Sequence, residues 1–151
     1  MKKLILLIVI ALVGASASAQ EIKWITFQEA IKAQKANPKP IFMDVYTSWC
    51  GPCKMLDQNT FTDSAVIEQI NSKFYAVKFN AEGNEKIEFA GKTFGNPNYD
   101  ANRAGRNGMH EFTAFLRVPG YPSMVIIEKD GTIKKTLVGY KVPQQLLQEI
   151  K

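Results

Sequence analysis

Cysteine and histidine are scarce in this chain, which has two cysteines and one histidine among 151 residues. Two cysteines are too few for a disulfide-stabilised scaffold, and with one histidine they are too few for a closed zinc site, which takes four ligands. The charged fraction is an ordinary 22% and the hydrophobic fraction is 46%. This composition excludes a disordered chain, collagen and a coiled coil, and the length suits one domain with a full hydrophobic core.

A concentrated basic stretch is also missing. The formal net charge is +5, and it falls to +3 without residues 1–19, which hold two lysines and no acidic residue. Basic and acidic residues are interspersed along the rest of the chain, whereas a nucleic-acid surface needs a basic stripe. We therefore expect no nucleic-acid partner.

One long apolar run is present, close to the N-terminus. Two lysines precede the apolar residues 4–13, a run that is too short to span a bilayer. Small residues follow and end in Ala-Ser-Ala at residues 17–19, the pattern of a processing site. We therefore predict a secretory signal peptide at residues 1–19 and a periplasmic or otherwise exported domain at residues 20–151. The alternative is an uncleaved membrane anchor.

The apolar pattern predicts an α/β domain. Residues 41–46 form a nearly continuous apolar run, typical of a central strand covered on both faces. Thr26 and Glu29 have the spacing of a capping box that begins a helix. The other predicted elements are a strand at 24–25, a helix from 63 or 64 to 71, a strand at 74–80, a hairpin at 86–94, a loop at 95–108, a helix at 109–116, strands at 123–128 and 132–137, and a helix from 143. Because helices alternate with strands early and a hairpin comes late, we expect a central mixed sheet with helices on both faces.

The most informative motif is Trp-Cys-Gly-Pro-Cys-Lys at residues 49–54, where the buried strand gives way to a helix. Pro52 suits the first turn of that helix, which places Cys50 at the helix N-terminus. The unpaired amides and the helix dipole there favour the reactive thiolate form of Cys50. Cys53 lies one turn further along the same face, within reach of a disulfide with Cys50. We therefore predict that Cys50 attacks a substrate disulfide and that Cys53 resolves the mixed disulfide.

Two other uses of the cysteine pair remain open. A purely structural disulfide would stabilise the fold little, because so small a ring hardly constrains the unfolded chain. A metal site would need two further ligands, and His110 is the only histidine in the sequence. The combination of strand, CxxC motif and helix favours the redox interpretation, and we predict no metal.

Asp44 is an acidic residue inside the predicted buried strand. An acid in such a place is costly unless it is paired or neutral, and burial is expected to raise its pKa. It lies six residues before Cys50, beneath the predicted active-site turn. It is a candidate to take a proton from Cys53, and the alternative is a hydrogen-bonded structural aspartate.

Tyr121 and Pro122 stand at the entry to a later predicted strand. A proline at this place ends ladder hydrogen bonding, and its peptide bond is either cis or an ordinary trans bond at a strand start. If the bond is cis and packs against the CxxC turn, the Tyr121 backbone is free to pair with a substrate strand.

These features together resemble the thioredoxin family, over roughly residues 22–80 and 115–150. Residues 43–54 look like the family's active-site strand and turn, including the buried acid at Asp44. Lys78 resembles a family lysine that lies near that acid, and Tyr121-Pro122 stands where the family has its cis-proline. The resemblance implies a thioredoxin-like fold, proton management by an Asp44–Lys78 pair, and substrate contacts from Trp49, Gly51, Pro52, Tyr121 and Pro122. It implies no cofactor, since the dithiol is itself the redox group.

More specific matches come from Lys39-Pro40 and from residues 60–63. They are similar to periplasmic thioredoxin-like domains, including the C-terminal domain of the transmembrane thiol-disulfide interchange reductase. One departure is an insertion at residues 81–108, before the proline strand, which lengthens the chain between Cys53 and Pro122 by roughly 25–30 residues relative to a minimal thioredoxin. Loops of this length are often functional or disordered. The insertion either lies near Cys50 and restricts which partners dock, or lies far from the site.

We therefore predict an exported, monomeric thiol-disulfide oxidoreductase that reduces disulfides of protein substrates. The intervening Gly51-Pro52 matches the reducing members of the family, and no histidine between the cysteines stabilises a thiolate further. A reductase in an oxidising compartment needs a membrane-bound electron donor. The rival interpretations are a disulfide oxidase or isomerase, a non-catalytic binding module with vestigial cysteines, and a metal carrier.

Overall fold

The computed structural model describes residues 20–151. The predicted signal peptide at residues 1–19 lies outside the described residues. In the described part, no helix is both long enough and apolar enough to span a bilayer. In chain order the elements are β1 (Trp24–Ile25), α1 (Phe27–Ala36), β2 (Ile41–Tyr46), α2 (Gly51–Met55), a π-helical turn (Leu56–Thr60), α3 (Ser64–Lys73), β3 (Tyr75–Asn80), β4 (Ile87–Phe89), β5 (Lys92–Phe94), α4 (Glu111–Leu116), β6 (Ser123–Ile127), β7 (Ile133–Val138) and α5 (Pro143–Glu149).

The main sheet is mixed and has the strand order β1-β3-β2-β6-β7. Strand β2 runs parallel to β3 and antiparallel to β6, so the carboxyl end of β2 lies beside the start of β6. Asp44 stands opposite Lys78 on one neighbour and opposite Met124 on the other. Val45 is paired with Ser123, which brings the segment before β6 next to the segment after β2. The predicted central mixed sheet is confirmed.

Helices cover both faces of this sheet. On one face Met43 and Val45 pack in a cluster with residues of α1 and α4. On the other face Phe42 packs with residues of α3 and α5 and with Leu56, which directly follows α2. Because side chains alternate along a strand, Asp44 points to the same face as Phe42. The strand is buried from Ile41 through Val45, as its apolar run predicts.

Several element boundaries differ from the prediction for local reasons. Helix α4 begins at Glu111 rather than at residue 109, because the His110 side chain caps it and its Nδ1 accepts a hydrogen bond from the Phe112 amide at 3.0 Å. Helix α3 runs to Lys73, two residues past the predicted end. The π-helical turn after α2 was not predicted; the Phe61 amide donates to the Leu56 carbonyl at 2.8 Å.

The first part of the insertion extends the hydrophobic core. The predicted hairpin is present as β4 and β5. Phe89 and Phe94 of this hairpin pack against Phe112 of α4, with ring centroids 5.8 and 5.3 Å apart. Phe112 also contacts Phe27 of α1 at 4.9 Å. The hairpin therefore adds aromatic contacts to a ring that also packs against Phe79 of the main sheet, with centroids 5.5 Å apart.

Phe112 is the centre of this aromatic cluster, which gives a stability prediction. Its side chain is fully buried. Phe112→Ala should lower the free energy of unfolding by about 3–5 kcal/mol, because it opens a cavity. Phe115→Ala is the matched control, since that ring lies on the same helix but is 37% exposed, and it should cost less. Urea denaturation of both variants measures the difference, and equal losses would contradict this account of the cluster.

Candidate active site

The cysteine pair lies at the junction of β2 and α2. Cys50 is the N-cap of α2, and its sulfur accepts a hydrogen bond from the Cys53 amide at 3.2 Å. Pro52 occupies the first turn, as predicted. The two cysteines form a disulfide, with Cα atoms 5.3 Å apart. The helix therefore holds both sulfurs close enough to form a disulfide with each other.

The sulfurs are nearly covered in this oxidised form. Cys50 is 3% exposed and Cys53 is 2% exposed. Gly51 and Pro52 between them are exposed. The Gly51-Pro52 turn is therefore the exposed part of the motif between the cysteines.

Tyr121 and Pro122 lie beside the cysteine turn. The register of β2 and β6 places them at the same end of the sheet as residues 47–50. The Tyr121-Pro122 peptide bond is cis. The Tyr121 ring makes an edge contact with the Trp49 ring, with centroids 5.9 Å apart. Of the hydrogen bonds within residues 20–151, none involves the main-chain amide or carbonyl of Tyr121.

Asp44 forms the buried ion pair with Lys78 that the family resemblance implies. Its carboxylate is fully buried, and its Oδ2 lies 2.6 Å from the Lys78 Nζ. Its Oδ1 is buried and has no hydrogen-bond partner among the described residues. Among residues 20–151, Asp44 is hydrogen-bonded to Lys78 and to neither cysteine.

Lys78 is shared by a second carboxylate. Asp57, on the π-helical turn, also accepts a hydrogen bond from its Nζ. The ammonium lies over three aromatic rings, those of Trp24, Tyr46 and Phe61, at 5.0–5.3 Å. Such rings attract a cation with their electron-rich faces. Lys78 is therefore held in place from several sides, and Asp57 links it to the surface.

Burial controls the ionisation of this pair. It raises the pKa of the Asp44 carboxyl from 3.8 to about 6, although the Lys78 charge and hydrogen bond oppose the shift. Burial alone would lower the pKa of Lys78, but the charges and hydrogen bonds of Asp44 and Asp57 outweigh it, and the net shift is upward. Lys78 is therefore a cation throughout the range in which Asp44 titrates.

Three residues at or beside Trp49 were missed in the sequence. The Trp49 indole Nε1 donates to Glu82 Oε2 at 2.9 Å, and the Asn107 amide donates to the same oxygen at 2.8 Å. The guanidinium carbon of Arg106 lies 4.0 Å from the centroid of a Trp49 ring. Glu82, Arg106 and Asn107 all belong to the insertion at residues 81–108, whose length was the sequence signal. Nothing in the sequence pointed to Asp57 on the π-helical turn.

His110 has a structural role at the start of α4. Its Nδ1 caps α4, and its Nε2 hydrogen-bonds the Glu85 carbonyl at 2.6 Å. Both ring nitrogens are therefore used within the fold, Nδ1 by the Phe112 amide and Nε2 by the Glu85 carbonyl. Across residues 20–151, no group of three or more His, Cys, Asp or Glu side chains is arranged to hold a metal ion.

A CxxC disulfide at the start of the helix that follows the central strand of such a sheet is the arrangement of the thioredoxin-like redox motif. The chain belongs to the family of thioredoxin-like domains, whose sequence model matches residues 27–151.

Similar proteins and solved structures include members of the same family. Thiol:disulfide interchange protein DsbD of Campylobacter jejuni (strain RM1221) is 31% identical over 140 residues, which are 91% of this chain and 20% of that protein. The chain thus spans about a fifth of that relative's length. A putative disulphide-isomerase from Bacteroides thetaiotaomicron has a TM-score of 0.60 at 28% identity, covering 88% of this chain and 93% of that one. The reduced C-terminal domain of Neisseria meningitidis DsbD shares the fold, with a TM-score of 0.55 at 19% identity over 82% of this chain and 90% of that one.

The buried Asp44 predicts a particular pH dependence of stability. Because its pKa is higher in the folded state, the folded protein binds more protons than the unfolded one between pH 3.8 and about 6. Stability is therefore lost as the pH rises through this window, by about 3 kcal/mol for a shift of two units. Asp44→Asn should remove this loss, so that the oxidised variant is more stable than wild type at pH 8 and the difference shrinks towards pH 4.

Urea denaturation of both oxidised proteins across pH 4–8 measures this difference. Contributions from other titrating groups cancel in the comparison, and Lys78 keeps Asp57 as a partner in the variant. A stability difference that does not change with pH would contradict the raised pKa of Asp44.

Proposed function

We propose that this protein is an exported thiol-disulfide oxidoreductase that reduces disulfides of protein substrates. The observation that carries the proposal is the Cys50–Cys53 pair at the N-terminus of α2. The two sulfurs supply the electrons of the reaction, so the chemistry needs no separate cofactor. The names of the relatives describe disulfide interchange and isomerisation in those proteins.

The reaction proceeds in two exchanges that balance atoms and electrons. The Cys50 thiolate attacks one sulfur of the substrate disulfide, which forms a mixed disulfide and releases the other substrate sulfur as a thiolate. Cys53 then loses its proton and attacks the Cys50 sulfur, which releases the second substrate sulfur. The substrate gains two electrons, and the protein is left with the Cys50–Cys53 disulfide of this structure.

Cys50 is the attacking sulfur in this proposal. It stands at the helix N-terminus, where unpaired amides favour negative charge, and the Cys53 amide already donates to its sulfur at 3.2 Å. A thiolate is the nucleophilic form of cysteine. Cys53 lies inside the first turn, beyond the N-cap position, which suits the resolving role.

Asp44 is the proposed acceptor of the Cys53 proton, and Lys78 positions its carboxylate. The buried Oδ1 of Asp44 has no partner within residues 20–151, so it keeps an acceptor site free. A pKa of about 6 leaves Asp44 mostly ionised at neutral pH yet able to take up a proton. Lys78 fixes the other oxygen at 2.6 Å.

The substrate strand is proposed to dock between the cysteine turn and the segment before β6. Gly51 and Pro52 are exposed there, and Trp49 and Tyr121 form the adjoining aromatic wall. The main-chain amide and carbonyl of Tyr121 have no partner within residues 20–151 and so can pair with an extended substrate. Pro122 is buried and holds this segment against the sheet, and its carbonyl accepts from the Gly139 amide at 2.8 Å.

Reduction is proposed over oxidation because only glycine and proline separate the cysteines, so no side chain between them stabilises the Cys50 thiolate further. A less stabilised thiolate makes a weaker oxidant. In an oxidising compartment the disulfide must be reduced again, and a membrane-bound electron donor is the proposed partner. The signal-like residues 1–19 support export. A monomer is proposed to suffice, since both cysteines lie in one chain.

The direction of electron flow is tested by the reduction potential. We expect a value below about −200 mV, in the range of the reducing thioredoxins and below the strong oxidants. Equilibration of the purified protein with glutathione or dithiothreitol buffers, followed by quantifying the disulfide, measures it. A potential well above that range would favour the second candidate, a disulfide oxidase or isomerase, which the Bacteroides thetaiotaomicron relative's name also suggests.

A trapping experiment tests the catalytic roles and the compartment. Cys53→Ala removes the resolving sulfur, so substrates should remain attached to Cys50 as mixed disulfides. Cys50→Ala is the matched control, and it should trap far less because Cys53 lies inside α2 and lacks the N-cap position that favours the thiolate. Adducts should be found in the exported fraction, on a chain that begins near Gln20. Mass spectrometry identifies the trapped substrates and the N-terminal residue of the chain.

Two results would speak against the proposal. An empty Cys53→Ala trap under reducing conditions, together with a Cys50 that resists alkylation at neutral pH, would favour a non-catalytic binding module. Adducts on an uncleaved chain in the membrane fraction would contradict the exported form and favour a membrane anchor.

A further inference from the structure

The loop at residues 95–108 brings a cation to the edge of the cysteine turn. We propose that Arg106 is a recognition site for a carboxylate, which selects protein substrates that carry an Asp or Glu beside the disulfide to be reduced. The inference rests on the proposed function and names the class of substrate for that site.

The loop that carries Arg106 is held in one conformation by its own hydrogen bonds. The Asn107 side chain accepts from the Asp100 amide at 2.9 Å and donates to the Asp100 carbonyl at 2.8 Å. The Asn96 side-chain amide bridges the carbonyls of Gly83 and Gly108 at 2.8 and 2.6 Å. Gly108 has no room for a side chain, because a Cβ would lie 2.6 Å from the Asn98 carbonyl oxygen. The loop is therefore built to hold a fixed shape, although most of its side chains are exposed.

This shape places Arg106 against the residue that precedes Cys50. The guanidinium carbon lies 4.0 Å from the centroid of a Trp49 ring, a cation–π stacking distance. Glu82 fixes both sides of the contact, since one of its oxygens accepts from the Trp49 indole and from the Asn107 amide. The guanidinium is thus positioned beside the cysteine turn before any partner arrives.

The donors of Arg106 are unused in the described part of the chain. It makes no hydrogen bond or salt bridge with residues 20–151 and is exposed. Glu82 is the acidic residue at this contact, and its Oε2 accepts hydrogen bonds from Trp49 and Asn107 rather than from Arg106. Stacking occupies only the face of the guanidinium and leaves its edge, with the N–H donors, open to solvent. Lys54, directly after Cys53, is exposed and also lacks a salt bridge in this part of the chain, so it adds positive charge near the turn.

A planar guanidinium with a free edge matches the two oxygens of a carboxylate. Arginine binds carboxylates through two parallel N–H···O bonds, and stacking on an aromatic ring leaves less side-chain freedom to lose on binding. A protein substrate that extends from Cys50 across Trp49 would bring a residue close to its disulfide to this edge. The charge of the site selects Asp or Glu at that position.

The test uses two disulfide-bonded peptides that differ only in a Glu or a Gln next to one cysteine. Wild-type protein, with dithiothreitol as electron source, should reduce the Glu peptide with a kcat/KM about fivefold higher, the factor expected of a well-oriented exposed ion pair. In Arg106→Gln the ratio should fall to about one. Arg103→Gln, an exposed arginine of the same loop, is the matched control and should keep the wild-type ratio. Added salt should reduce the preference, because exposed charges are screened.

A second measurement separates this inference from the proposed function. Calorimetric titration of the oxidised protein with the same peptides reports recognition without turnover, and the Glu peptide should bind more tightly to wild type but not to Arg106→Gln. If neither peptide is reduced, the proposed function fails while the binding result still decides the role of Arg106. Equal binding and reduction of both peptides by wild type would overturn the inference. So would an Arg106→Gln variant that weakens both peptides by the same factor, because Arg106 would then serve only to hold Trp49.

Discussion

The burial of β2 in the middle of the sheet is the constraint on which the site depends. With β3 on one side and β6 on the other, and helices on both faces, this strand has no freedom to shift its register. The carboxyl end of β2 therefore fixes the position of Cys50 relative to Tyr121 and Pro122, which directly precede the neighbouring strand β6. The Gly51-Pro52 turn is exposed, but the strand that leads into it is buried from Ile41 through Val45.

The same burial makes Asp44 costly, and the surroundings of that residue follow from the cost. A carboxylate inside a strand loses its hydration, and a single ion pair does not fully restore it. Lys78 compensates in part, and it is itself held by Asp57 and by three aromatic rings. The π-helical turn matters here because it carries Asp57 on the segment that directly follows α2. The cost that remains appears as the raised pKa, which is the property that a proton acceptor at neutral pH requires.

Local sequence signals account for most of the fold but for less of the site. The apolar run of β2, the Thr26–Glu29 capping box and the CxxC motif each act over a few residues, and each predicted its element. The start of α4 was misplaced because His110 caps it, a role that the sequence pattern assigns first to Ser, Thr, Asp or Asn. The π-helical turn has no comparable signature. The Asp44–Lys78 pair was reached through the family resemblance, whereas the Glu82 and Arg106 contacts with Trp49 depend on the path of a long loop, which no local pattern encodes.

The insertion divides into two parts with different physical characters. Its hairpin buries aromatic rings against α4 and so belongs to the core, where it adds stability. Its second part, residues 95–108, buries little and is held instead by polar side chains that satisfy backbone groups. A loop held by hydrogen bonds to its own backbone keeps its shape while leaving its charged side chains unpaired. This division explains how the chain can carry a fixed cation at the mouth of a redox site without weakening the sheet beneath it.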